Sequence, residues 1–406
     1  MDQERLIVRD PLLDVRQQLT GYRFSWAGSK AGHPQEHAES VGILHRVLAW
    51  HQANAEAEQP LVLRFRFHVP VTAETLADGT VAQLPAESTG LLVTPSTLDD
   101  PAASGILNDL RQQGYAIVLH GADLSALRAE WLSLASMVEV HFEAGNFTAQ
   151  ARIYALLKQT SMPMAASGVS GWQEYAICNK LGLNAFVGKF YMSSPPSAGD
   201  KGKSLNPSQA TLLQLMEGVR ANADIVRLEE LLKHDAAVSY KLLFYINSAA
   251  FGLSFEIESL RHASQMLGYE HLYRWLCVLF ATSDDKRSSP VLLQAALIRG
   301  RFIELLGRNY LSKADTENLF ITGMFSMIDR LLDIDIETAL ENIRLPESVS
   351  DALLGQTGIY YPFLALALAC ETDDPEAERL AVDIGIDLAQ INDAHMEAVF
   401  WAQRLT

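Results

Sequence analysis

The sequence predicts an α/β barrel followed by an all-α domain. Three observations lead there. Short apolar runs alternate with helix-period stretches over roughly the first 190 residues. A stretch from Ser193 to Pro207, rich in proline, glycine, serine and charge, then breaks all periodicity. Beyond it the strand signals vanish and only three-four apolar spacing remains.

In the first part, Leu61 to Val69 alternates apolar and basic residues with period two, which reads as a strand. Leu91 to Thr94, Ala116 to His120, Val138 to Phe142, Met162 to Ala166 and Ala185 to Val187 are further short strand-like runs. Ala102 to Gln113 and Asn146 to Thr160 are helical in pattern. Strand and helix in turn predict a parallel sheet, and their repetition over residues 1–195 suits a closed barrel. Periodicity alone does not separate that barrel from an open sheet.

Residues 196–207 read as a linker, and residues 208–406 as the helical domain. Ser208 to Asn222, Asp235 to Asn247, Ser259 to Leu267, Pro290 to Asn309 and Thr316 to Leu332 carry the helical spacing. Ser289-Pro290 offers a side-chain acceptor at the N-cap and a proline at the first helical position. Asp374-Pro375-Glu376 repeats the device with an acid in the first turn. Gly268 and Gly358 fall where helices stop or restart.

Composition narrows the partners. The chain has 406 residues, 49% hydrophobic and 20% charged, with a net charge of -17. An acidic chain with no Lys/Arg-rich run repels a phosphate backbone, so no nucleic-acid partner is expected. The three cysteines, Cys178, Cys277 and Cys370, are far apart and fit no metal-ligand spacing. Met1-Asp2-Gln3-Glu4-Arg5 does not open a signal peptide. No apolar run approaches the roughly 20 residues a membrane span needs, so a cytoplasmic chain with no membrane contact is expected.

Particular strings carry a family resemblance. Leu242-Leu243-Phe244-Tyr245-Ile246-Asn247-Ser248-Ala249-Ala250-Phe251, then Ile257-Glu258-Ser259-Leu260-Arg261-His262-Ala263, then Leu267-Gly268, resemble the signature of the HDOD domain. Ile321 to Asp329, with Leu345-Pro346 and Ala352-Leu353-Leu354 beyond, resembles the HDOD branch fused behind an EAL barrel. Gly21-Tyr22, Gly114 to Leu119, Ala166-Ser167-Gly168-Val169 and Val187 to Pro195 resemble the framework of that barrel. The resemblance implies an EAL-type barrel joined to an HDOD domain in bacterial signal transduction.

Active EAL barrels hold two divalent metals on oxygen ligands at the strand ends, and the metals activate a water that cuts cyclic di-GMP. Set against that motif, this chain departs at nearly every ligand. The Glu of Glu-Ala-Leu becomes Arg23, and the strand-three Glu falls at Thr94. The paired aspartates become His120 and Gly121, and Lys-x-Asp becomes Glu139-Val140-His141. The next Glu becomes Ser167 and the closing Gln becomes Val187. The asparagine strand falls in Arg64-Phe65-Arg66-Phe67, which has no asparagine. A guanidinium repels a metal, and hydroxyls and an aliphatic group bring no charge. In the helical half, Ser326-Met327 stands where catalytic cousins carry a metal-binding His-Asp pair.

The expectation is therefore a regulatory scaffold that is not an enzyme, holds no metal or cofactor, and binds an unidentified signalling protein through its HDOD domain. The alternative is a cyclic di-GMP sensor using the barrel mouth, with Arg23 and Arg64 pairing with phosphate. The vestigial pocket would comprise Arg23, Arg64, Thr94, His120, Glu139, His141, Ser167 and Val187. A third reading places a transition metal on His120 and His141, with Asp123 and Glu143 near in sequence; structural histidines are the plainer account. His33-Pro34-Gln35-Glu36-His37 spells an inverted zinc-protease string, but in a Gly/Pro/His-rich stretch it reads as solvated loop or helix start.

Overall fold

The computed structural model describes residues 5–28, 36–55, 65–121, 127–142, 154–155, 157–193, 207–233, 235–248, 256–283, 289–341, 343 and 345–405. The chain divides into two compact units, Arg5–Pro195 and Pro196–Thr406.

The first unit is a closed barrel of eight strands in sequence order. These are β1 (Ile7–Asp14), β2 (Leu19–Trp26), β3 (Arg66–Pro70), β4 (Thr89–Val93), β5 (Ala116–Leu119), β6 (Met137–His141), β7 (Met164–Ser167) and β8 (Ala185–Val187). From β2 to β8 neighbours run parallel, but β1 is antiparallel to both β2 and β8. The wholly parallel sheet read from the sequence is corrected at this strand. Its cause is local: Asp14 Oδ1 accepts from the amides of Arg16 and Gln18, both at 2.8 Å, and closes a tight turn straight into β2. A connection that short joins only antiparallel strands.

Helices cover the barrel. They include α1 (Glu36–Ala55), α2 (Ala73–Ala77), α3 (Pro95–Asp99), α4 (Pro101–Gln112), α5 (Ala129–Leu134) and α6 (Trp172–Leu181). Most of the Asn146 to Thr160 stretch lies outside the described residues. Strand side chains alternate between two faces. One set, including Phe67, Val69, Leu91, Val93, Ile117, Leu119, Val138 and Phe186, is buried and apolar. The other set contains Arg23 and Glu139, which meet although their strands lie four apart around the barrel. Only the barrel interior offers that path. The same face carries an apolar layer of Leu12, Ala165, Ala185 and Val187, with Met137 against it.

The second unit, in its described residues, is helical. It comprises α7 (Pro207–Arg220), α8 (Ile225–Lys233), α9 (Ala236–Ile246), α10 (Leu260–Ala281), α11 (Pro290–Gly307), α12 (Lys313–Phe325), α13 (Ile328–Leu332), α14 (Ile336–Glu341), α15 (Glu347–Ser350), α16 (Tyr361–Thr372), α17 (Glu376–Asp383) and α18 (Leu388–Ala402). Asp235 caps α9 through the amides of Ala237 and Val238. Asn247 then pairs twice with the backbone of Ile257, donating at 2.8 Å and accepting at 2.7 Å. The first two strings of the HDOD resemblance are thus tied together by one side chain.

Two helix expectations need correction. Ser289 precedes α11, but its hydroxyl makes no capping bond; Pro290 alone marks that start. The expected helix from Thr316 to Leu332 is two helices, broken at Ser326-Met327. Ser326 Oγ donates to Gly323 O at 2.6 Å and accepts from Arg299 Nη1 at 2.7 Å. A residue bonding backward to the preceding turn competes with helix continuation.

Candidate functional site at the barrel mouth

Arg23, on β2, lies across from Asp10 of β1 and level with His68 of β3. Its two terminal nitrogens bond to different carboxylates: Nη2 to Asp10 Oδ2 at 3.0 Å, and Nη1 to Glu139 Oε1. Lys189, just past β8, approaches Asp10 Oδ1 at 3.4 Å. Four formal charges therefore cancel within one chain of contacts. Glu139 is nearly inaccessible, at 4% side-chain exposure, whereas Arg23 retains 23%. The acid is buried and the cation reaches toward solvent.

The charges hold one another in place. Burial pushes the Glu139 carboxyl up, but Arg23 outweighs it, helped by His120, a hydrogen bond from Ser167, and His68, so its pKa falls below the ordinary range. Asp10 is also lowered, because Arg23 and Lys189 overcome its burial. Arg23 is raised, since Glu139 and Asp10 overcome the same penalty. Burial depresses both imidazoles facing this group: His68 falls to about 4, and His120 falls as well, with Glu139 opposing and Arg23 assisting. Both rings are neutral near pH 7.

Two polar atoms here are buried without a hydrogen-bond partner, Arg23 Nε and His120 Nε2. Such an atom costs about 1–3 kcal/mol if nothing meets it.

The remaining expected residues are placed as follows. Ser167 ends β7, is 3% exposed and donates to Glu139. Thr94 follows β4, and its hydroxyl lies 2.8 Å from Ser96 Oγ and 3.1 Å from Thr97 Oγ1, at the start of α3. His141 ends β6 in an exposed position beside Gly168. Val187 packs in the apolar layer with Leu12. Arg64, Asp123 and Glu143 lie outside the described residues, as do His33, Pro34 and Gln35. The structure thus brings Arg23, Glu139, Ser167 and His120 together, and adds Asp10, His68 and Lys189. Asp10 and His68 carried one usable signal, a polar residue inside an apolar strand. Lys189 carried none.

The paired divalent ions implied by the EAL resemblance need several hard oxygen donors facing one point. Among the described residues no three His, Cys, Asp or Glu side chains converge in that way. Asp10 and Glu139 are instead joined through Arg23, a donor set that does not fit two dications. No helix among the described residues is long and apolar enough to cross a membrane.

The HDOD domain family matches residues 205–338. Cyclic di-GMP phosphodiesterase CdgJ of Vibrio cholerae is 26% identical over 98% of this chain and 92% of its own length. The uncharacterized protein YuxH of Bacillus subtilis is 25% identical over 75% of this chain and 76% of its own. The solved EAL domain of DcpA from Mycobacterium smegmatis covers 45% of this chain and 90% of its own, at 17% identity and a TM-score of 0.34. The chain is a closed α/β barrel followed by an HDOD helical domain.

The expectation that the chain is not an enzyme is overturned by the Vibrio relative, which matches it almost end to end and is named a phosphodiesterase. Two carboxylates that the family motif does not supply as ligands also lie inside the barrel: Glu139, which stands where the motif has a lysine, and Asp10, which β1 delivers to the same place.

Proposed function

We propose that this chain is an EAL–HDOD protein of cyclic di-GMP signalling, in which the barrel mouth engages the dinucleotide through Arg23 and the HDOD domain docks a protein partner. The observation that carries the first half is the state of Arg23. It is a permanent cation, aimed by Asp10 and Glu139, that keeps 23% of its side chain exposed. A phosphate oxygen is the acceptor such a donor favours, because a charge-assisted bond is about twice as strong as a neutral one. The name of the Vibrio relative brings the dinucleotide, and its hydrolysis, to this chain.

Support for the second half comes from α9. Tyr240 and Phe244, one helical turn apart, are 70% and 57% exposed and stack at 6.2 Å between ring centroids. Large aromatics left open together on one helix face suit a protein interface.

Calorimetry of the full chain with cyclic di-GMP, with product analysis of the same sample, tests the mouth. Saturable binding that weakens at least about tenfold in Arg23→Ala is expected, and any turnover should fall with it. Neither binding nor turnover at high micromolar dinucleotide, or binding that ignores the substitution, overturns the assignment. For the helical domain, a protein recovered from cell extract by the wild type should be lost with Tyr240→Ser/Phe244→Ser.

A further inference from the structure

The helical domain contains a cavity of about 360 Å3 between the end of α7, the middle of α10 and the start of α12. Small-molecule sites run from about 300 to 1,000 Å3, so this one lies at the small end of that range.

Tyr273 lines the cavity and is 5% exposed. Its hydroxyl has the Cys277 thiol and the Arg220 guanidinium as neighbours but makes no hydrogen bond of good geometry. Burial keeps this phenol protonated, well above its ordinary pKa. Arg220 lies over the same ring, 5.1 Å from its centroid, and pairs with no carboxylate among the described residues. The cation and the aromatic ring thus line one space, with the hydroxyl itself buried beside the guanidinium and the Cys277 thiol.

Acidic groups line the cavity too. Glu317 is already compensated, by Arg274 at 3.1 Å and by the His271 ring at 3.4 Å. Glu270 is exposed at the rim and pairs with no cation among the described residues. The Tyr269 hydroxyl donates to Ala223 O at 2.7 Å, which fixes that ring as a wall. The lining therefore offers a cationic corner, a rigid aromatic wall and an unpaired carboxylate. Its complement is a molecule that carries both an anion and N–H donors.

We propose that this cavity is a second ligand site, for a guanine mononucleotide. The phosphate meets Arg220, and the N1–H and exocyclic amine of the base meet Glu270. The choice of guanine rests on the cyclic di-GMP reading above, which makes guanine nucleotides the species at hand. The shape and charge of the site do not depend on it.

Calorimetry of the full chain with 5′-GMP, 5′-IMP and inorganic phosphate tests this. GMP should bind saturably, and Arg220→Ala should weaken it at least about tenfold. IMP, which lacks the exocyclic amine, should bind about tenfold or more weakly than GMP, and Glu270→Gln should erase that difference. Arg220 and Glu270 are exposed, so both variants should keep the wild-type melting temperature. No saturable heat with GMP at millimolar concentration overturns the site, as does GMP binding indifferent to Arg220→Ala. Equal affinity for GMP and IMP overturns the guanine assignment. Arg23→Ala should leave GMP binding intact and Arg220→Ala should leave cyclic di-GMP binding intact, so failure at one site is distinct from failure at the other.

Discussion

Glu139 shows how far the mouth depends on single side chains. A carboxylate at 4% exposure keeps its charge because Arg23 sits against it. Removing the guanidinium leaves an uncompensated buried charge, so Arg23→Ala should cost about 3–5 kcal/mol by urea denaturation. Adding Glu139→Gln should return part of that loss; a double variant less stable than the single one contradicts the pairing. Acid acts on the same residues with a definite sign. His68 has its folded pKa depressed from 6.5 to about 4, so between those values the unfolded chain takes up the proton and the folded one does not. Stability should fall by roughly 3 kcal/mol as pH drops through that window, at about 1.4 kcal/mol per unit. Asp10 and Glu139, also lowered, add a further loss below the ordinary carboxylate range. His68→Gln should flatten the profile between pH 6.5 and 4 in thermal melts. From the sequence, Arg23, His120, Glu139 and Ser167 were legible as positions in a resembling framework. Asp10 and His68 stood out only as polar residues inside apolar strands, because their importance comes from register between strands that the sequence does not display.

Helix packing in the second unit turns on backbone contact. A Cβ on Gly323 would lie 2.8 Å from the Gly300 Cα and 2.9 Å from Arg299 O, and one on Gly300 would lie 2.7 Å from Phe320 O. Helices α11 and α12 therefore touch main chain to main chain at this crossing. Gly323→Ala ought to stabilise an isolated helix by about 1 kcal/mol. Here it should destabilise by about 1–3 kcal/mol through overpacking, which a denaturation midpoint reads directly. Strand β1 was the element least visible beforehand. Pro11 stands within its apolar run, and a proline argues against a strand bonded on both sides. Strand β8, three apolar residues in a row, has the bounds its sequence pattern predicts, whereas β3 is described over Arg66–Pro70 and residues 61–64 of the expected run lie outside the described residues. The resemblance placed the asparagine strand at Arg64 to Phe67; the residue of β3 level with Arg23 is His68. Apolar pattern locates a strand, and neighbouring strands set which residue faces the interior.

Across the whole chain, the switch from alternating strand and helix to helix alone was the firmest signal, because it needs no knowledge of contacts. What escaped it was ionic. Arg274 lies between Glu304 at 2.8 Å and Glu317 at 3.1 Å, with its guanidinium carbon 3.6 Å from the centre of the Phe320 ring. Arg299, fully buried, pairs with Glu371 and with Ser326. Charged residues inside an apolar helix pattern read as surface, and only folding shows them matched. The same limit holds in the barrel, where the pairing of Arg23 with Asp10 and Glu139 is set by folding and not by motif positions. The proposed binding of the dinucleotide rests on one of those charges, Arg23. Calorimetric titration of cyclic di-GMP into the wild-type chain and into Arg23→Ala, at matched fold and salt, measures it directly. Saturable wild-type binding with an affinity loss of about tenfold or more in the variant is the predicted result; equal binding by the two proteins, or none by either, contradicts it.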